Sequence, residues 1–290
     1  MFEKISQLLL VKTVGCYVNI MSFIAPEKSF ALAYKLFSEP RKGRLKKVLL
    51  PKTLLDADFK THIYEDHEFQ TYTWTPDKTQ QSENKGNDEI ILLIHGWESN
   101  ASRWKKLLKH LKKTKKTIIA IDGPAHGLTS GKEFNVPQYA KYINLIVQEY
   151  NPSIAIGHSI GGNALAYYQA HYKHNINKMV LLGAPSDFEI ILKNYVRLLS
   201  LNSRVHQSLI AFTKKKFNIT VSEFSAAKFL ENSTINGIVA HDQDDKVVLF
   251  EEGKKISNAW KTSQFIETKG LGHSLHDAYL YQTIVDFIEK

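Results

Sequence analysis

Residues 153–172, SIAIGHSIGGNALAYYQAHY, contain the junction whose reading decides the fold class. Ser153–Ile156 is a short apolar run, and from Ile160 onward the spacing turns helical, so a strand feeds a helix through one tight turn. That turn, Gly157-His158-Ser159-Ile160-Gly161, is a G-x-S-x-G sequence in the strand, turn and helix setting that a nucleophile elbow demands. Such a turn strains the Ser159 backbone and lifts its hydroxyl above the strand ends, while Gly157 and Gly161 present no Cβ to crowd it. The competing reading is an ordinary glycine-rich turn that happens to contain serine. His158 points away from its neighbour and reads as a packing residue.

Outward from this junction the same rhythm repeats. Strand candidates lie at Gln70–Trp74, Glu89–Ile94, Thr117–Ile121, Ser153–Ile156, Lys178–Leu182, Ile235–Ala240 and Gln264–Glu267. Helix candidates lie at Ser102–Lys113, Pro137–Tyr150, Ile160–Tyr172, Glu251–Trp260 and His276–Glu289. Most of the strand candidates are continuously apolar, as strands covered on both faces are, which predicts an α/β fold with a mostly parallel central sheet and helices on both faces. Residues 76–88 (PDKTQQSENKGND) read as an exposed polar loop. The interval 186–233 is longer than one crossover helix and reads as an inserted helical cap, too short for its own core and expected to pack on the main domain. The predicted organisation is an N-terminal helical extension with a basic segment at 1–67, a core at 68–185 and 234–290, and the cap at 186–233.

With 43% hydrophobic and 23% charged residues in 290, disorder is excluded, and the lack of any uninterrupted run of 18 apolar residues excludes a multi-span membrane protein. The single cysteine, Cys16, has no partner for an internal disulfide, which makes a reducing, cytoplasmic setting the expectation. The net charge of +9 includes seven lysines between Lys105 and Lys116, but these flank Trp104, Leu107, Leu108 and Leu111 at helical spacing and read as a solvated helix face. No nucleic-acid partner is expected, since no reading motif accompanies the charge. Residues Ile5–Ile24 are apolar but interrupted by Lys12, Asn19 and Ser22, so a spanning helix is not expected. Two readings stand for them: a helix packed on the domain, or an interfacial helix that, with the basic run Arg41–Lys47 (RKGRLKK), makes residues 1–47 a peripheral membrane contact.

Four further motifs surround the elbow: His95-Gly96-Trp97 after the strand at 89–94, Asp122-Gly123-Pro124-Ala125-His126-Gly127 after the next, His241-Asp242-Gln243-Asp244-Asp245-Lys246-Val247-Val248 after the strand at 235–240, and Gly270-Leu271-Gly272-His273-Ser274 before the final helix. Together with the elbow they resemble the α/β-hydrolase superfamily, in its small-cap serine esterase and monoacylglycerol-lipase-like branch, over residues 68–290. The resemblance implies that the backbone N–H groups of Trp97 and Ile160 form an oxyanion hole, that Asp245 is the acid and that His273 is the base for Ser159. Asp242, Asp244 and Asp187 remain alternative acids, and His276 an alternative base. His95 and His126 read as residues that fix their loops. Ala125 stands where the superfamily usually has glycine, and Asp242 likewise.

The implied activity is a serine hydrolase cleaving medium-chain or lipid-like carboxylic esters through an acyl-enzyme, with a small-molecule ester as partner and neither metal nor organic cofactor. Thioester hydrolysis, acyl transfer and carbon–carbon bond hydrolysis use the same triad and stay open, as does a catalytically silent binding module. The apolar residues Ile190, Ile191, Leu198, Leu199, Leu209, Ile210 and Phe212 of the insertion are expected to supply an acyl-chain lining.

Overall fold

The structure is a computed structural model that describes residues 2–76 and 89–290. The chain opens with α1 (Phe2–Ile24), α2 (Pro26–Ser38) and the short α3 (Lys52–Leu55), then a hairpin of β1 (Asp58–Tyr64) and β2 (His67–Trp74). Strands and helices then alternate through β3 (Ile90–Ile94), α4 (Lys105–Leu111), β4 (Thr117–Ile121), α5 (Val136–Tyr150), β5 (Ile154–His158), α6 (Ile160–His171) and β6 (Lys178–Leu182). Next come α7 (Phe188–Leu199), α8 (Ser203–Phe217), α9 (Ala226–Leu230), β7 (Asn236–Asp242), α10 (Phe250–Ala259), β8 (Ser263–Thr268) and α11 (Ala278–Glu289). Of the stretch read as a polar loop, residues 77–88 lie outside the described residues.

Two compact units emerge: residues 40–186 with 226–290, and residues 1–39 with 187–225. The larger carries an eight-stranded sheet in the order β1-β2-β4-β3-β5-β6-β7-β8. β1 and β2 run antiparallel to their neighbours, and from β4 to β8 every pairing is parallel. Apolar runs such as IILLI in β3 and TIIAI in β4 leave no solvent face. Ile91, Leu93, Ile118, Ile156, Val180 and Ile238 pack with Leu107, Leu111, Leu280 and Ile284 of α4 and α11 into one core. The alternate residues Leu92, Ile119, Met179 and Val239 are equally buried on the opposite face. There α6 and α10 lie against the strands: a Cβ on Gly162 would meet Leu181, and one on Gly253 would meet His241. All seven strand candidates are present. β1, placed by the sequence reading within an extension, is instead one of the sheet's two edge strands, and the core unit begins at Pro40 rather than at 68.

The smaller unit corrects the expected organisation further. Leu192, Leu199, Val205 and Leu209 of α7 and α8, expected to pack on the main domain, share a buried cluster with Val18 and Ala33 of α1 and α2. The N-terminal helices and the insertion are therefore one packed body, and α9, read as part of the insertion, belongs to the larger unit. Pro26 cannot continue α1 and opens α2 at its first turn, where its missing N–H is harmless. The Asn202 side chain caps α8 by accepting from the Val205 N–H at 3.0 Å. At Gly15 the α1 backbone comes so close to α7 that a Cβ would lie 1.7 Å from the Leu199 carbonyl oxygen. Ser29 Oγ donates to the Val18 carbonyl at 2.7 Å and ties the two N-terminal helices together.

Candidate active site

Ser159 sits between β5 and α6 at φ 54° and ψ −130°, a left-handed conformation that an L-residue holds only under constraint. The neighbouring glycines explain how the turn closes. A Cβ on Gly157 would meet the Gly162 Cα at 2.6 Å, and one on Gly161 would meet the carbonyl oxygens of Ile94 and His95 at 2.4 Å. Gly96 is equally constrained, since its Cβ would fall 2.7 Å from that of Ser159. The backbone after β3 is thereby brought against Ser159. Among the described residues, the Trp97 and Ile160 N–H groups have no hydrogen-bond partner.

His273 lies 2.9 Å from Ser159 Oγ through Nε2 and 2.7 Å from Asp245 Oδ2 through Nδ1. With the proton on Nδ1, the imidazole donates to Asp245 and is left to accept from the serine hydroxyl. The Asp245 carboxylate is buried, with Oδ1 accepting from the Val247 and Val248 N–H groups at 2.8 and 3.0 Å. Burial pushes this carboxyl up, but hydrogen bonds from His241, His273 and the Val248 amide outweigh it and hold the group well below the usual carboxylate range. It is therefore an anion aimed at the imidazole.

The alternatives are otherwise engaged. His276 Nδ1 is 2.5 Å from the Tyr281 hydroxyl. Asp187 accepts from Ser225 Oγ at 2.7 Å within the smaller unit. Asp242 has a task the sequence reading missed: its carboxylate accepts from the Leu271 and Gly272 N–H groups at 3.0 and 2.9 Å and from Thr268 Oγ1 at 2.8 Å. Asp244 adds the Gly270 N–H at 3.1 Å. The two side chains staple the loop that carries His273 to the end of β7. From the other side His158 Nε2 donates to the His273 carbonyl at 2.8 Å, and Arg103 donates to that of Ser274 at 3.2 Å. His158 thus does more than pack; burial, followed by the charge of Arg103, lowers its pKa well below the ordinary histidine value, so the ring is neutral.

His95 and His126 occupy the loop-fixing positions expected of them. His95 Nε2 accepts from the Gly123 N–H at 2.8 Å, and His126 Nε2 accepts from the Glu98 N–H at 2.8 Å. Burial lowers them to about 4 and about 3 respectively, which keeps both acceptors free of protons. Ala125, in place of the usual glycine, adopts φ 59° and is fully buried. Among the described residues no group of three or more His, Cys, Asp or Glu side chains is arranged to hold a metal ion.

Residues 89–276 match the family model described as alpha/beta hydrolase fold. The chain belongs to that family. Its curated relatives include a serine hydrolase-like protein of Danio rerio, 32% identical over 98 residues, and a monoacylglycerol lipase of Mycolicibacterium smegmatis, 27% identical over 119 residues. These matches cover 32% and 38% of this α/β hydrolase and 30% and 40% of the relatives, so the chain spans less than half the length of either. Among solved structures, a meta-cleavage product hydrolase from Pseudomonas fluorescens superposes with a TM-score of 0.59 at 14% identity, covering 81% of this chain and 98% of that one. At that identity the likeness concerns the fold of the hydrolase alone.

Proposed function

We propose that this α/β hydrolase is a serine esterase acting through an acyl-enzyme on medium-chain or lipid-like carboxylic esters. The observation that carries the reading is the continuous relay Ser159 Oγ, His273 Nε2 and Nδ1, Asp245 Oδ2, with links of 2.9 and 2.7 Å at a strained elbow. Ser159 Oγ attacks the ester carbonyl while His273 takes its proton, and Asp245 stabilises the imidazolium that results. The oxyanion of the tetrahedral intermediate is held by the Trp97 and Ile160 N–H groups, each worth roughly 3 kcal/mol of barrier lowering by analogy with other oxyanion holes. His273 then returns the proton to the departing alcohol as the C–O bond breaks, and water, activated by the same imidazole, releases the acid.

The acyl class rests on different ground from that expected of the sequence. Leu199, Leu209, Ile210 and Phe212 pack with α1 and α2, so they do not support an acyl lining, whereas Ile190 and Ile191 stand outside that cluster. What supports a lipid-like ester is the likeness to a monoacylglycerol lipase. The experiment is a kcat/KM series on p-nitrophenyl esters from acetyl to decanoyl, with an octanoyl thioester and a peptide amide beside them. The proposal expects a rise from acetyl to octanoyl of severalfold or more, since each buried CH₂ contributes about 0.8 kcal/mol, and poor turnover of the amide. Equal efficiency on acetyl and octanoyl esters would remove the lipid-like class, preference for the thioester would move the reaction type, and no ester turnover would leave a silent binding module.

A further inference from the structure

Helix α1 is packed with its large side chains outward. The side it buries is made of small residues: Gly15, Val18 and Ser22 are buried, and Val11 and Val14 border the same cluster. Leu9, Leu10, Tyr17, Ile20, Phe23 and Ile24 are between 54% and 74% exposed, and Leu198 of α7, in the same unit, is 54% exposed. Leu10, Tyr17, Ile20, Phe23 and Ile24 recur at intervals of three, four and seven, and with Leu9 beside Leu10 the six form a stripe along the helix, about 22 Å from Leu9 to Ile24 at 1.5 Å per residue. A helix that only packs on its neighbours presents the reverse arrangement.

The charges beside the stripe are of one sign. From Leu9 to Ile24 there is no acidic residue, and the single charged one is Lys12, whose ammonium rests on Ser200 Oγ at 2.7 Å. The Arg204 guanidinium lies 5.0 Å from the Phe23 ring, so a cation sits at the rim of the apolar surface. Across residues 1–39 and 187–225, ten Lys and Arg stand against six Asp and Glu. No helix among the described residues is long and apolar enough to cross a membrane. An apolar stripe with a cationic border, too interrupted to span, has the composition of a helix lying in a lipid interface. A second copy fits less well, because two-fold pairing of the stripe brings the basic side chains Lys12 and Arg204 of one copy toward those of the other with no carboxylate on the stripe to offset them.

We infer that the outer face of α1, with Leu198, is a docking surface for an anionic lipid bilayer. Lipid headgroup phosphates meet Lys12 and Arg204 while the apolar side chains enter the acyl boundary. The basic run Arg41–Lys47 is partly committed elsewhere, since the Arg44 guanidinium donates to the carbonyls of Thr129 and Gly131, and the inference does not depend on it.

Flotation of the full chain with vesicles of phosphatidylcholine, alone and mixed with phosphatidylglycerol, tests this. The protein should float with the mixed vesicles, less with phosphatidylcholine alone, and less in high salt. Ile20→Ser with Phe23→Ser should weaken binding at least about tenfold, because two large side chains no longer enter the interface. Arg204→Glu, an acidic residue in the first turn of α8 where the helix dipole favours it, should weaken binding to mixed vesicles severalfold at an unchanged melting temperature. Equal flotation of all three forms would overturn the inference, as would no flotation at all. A dimer in solution that the double substitution turns into a monomer, without vesicle binding by the unaltered chain, would assign the face to a second copy instead.

Discussion

Ala125 is held at φ 59° with its methyl group fully buried, a backbone region that costs a non-glycine residue roughly 1–2 kcal/mol. Ala125→Gly should therefore change stability by less than about 1 kcal/mol in urea titrations, because the relief of the backbone is offset by the greater chain entropy of glycine and by the loss of a buried methyl group, and a loss of several kcal/mol would contradict the strained position. The three aspartates at the end of β7 and just beyond it divide by what they touch. Asp245→Asn should lower kcat by roughly 10³–10⁴, because an amide does not hold the imidazole in the tautomer that accepts from Ser159. Asp242→Asn should lower kcat by about tenfold with little change in KM, since it loosens the loop that carries the imidazole without touching the relay. Equal losses measured on one ester would contradict that division. Asp245 is legible in the sequence because His241 and Val248 bracket it within one short motif. The role of Asp242 is not, because its partners lie 26 to 30 residues further along the chain and meet it only once β7 and β8 pair.

Among the elements, α1 depends on a glycine for contact rather than for flexibility. Gly15→Ala gains about 1 kcal/mol of intrinsic helix propensity, yet it drives a methyl group into the Leu199 carbonyl. The expected net effect is a loss of roughly 1–3 kcal/mol in chemical denaturation, and a more stable variant would contradict the observed approach of α1 to α7. The central strands announce themselves as continuous apolar runs. β1 does not: of Asp58–Tyr64 only His62 is buried, and its one sheet neighbour is β2, so no apolar signal is needed to hold it. For α1 and the insertion the periodicity reveals that each helix has an apolar side but not what covers it. The Asn19 side chain reaches the Asn202 N–H at 2.8 Å across 183 residues of sequence, a pairing that no local pattern encodes.

For the molecule as a whole, the three neutral histidines around the elbow set the response to acid. His95 lies at about 4, His126 at about 3 and His158 well below the ordinary histidine value, all chiefly through burial, against about 6.5 in an unfolded chain. Below pH 6.5 the unfolded state binds protons that the folded state refuses, so stability falls with pH. Near pH 5.5 these three rings alone should add about three protons to those taken up on unfolding, and His62, His174 and His276, also lowered by burial, act in the same direction. Below the ordinary carboxylate range the depressed Asp245 acts in the same direction, its stabilising contribution being lost as the folded carboxyl takes its proton. Urea titrations at pH 7 and 5.5 check this, and equal stability at the two would contradict the neutral, buried state of these rings. Activation of Ser159 by His273 is open to a fluorophosphonate probe, because phosphonylation requires an activated serine in place. The unaltered protein should label at Ser159 alone, while Ser159→Ala should not label at all and should keep its melting temperature; labelling that survives the substitution, or a folded unaltered protein that does not react, would contradict the assignment.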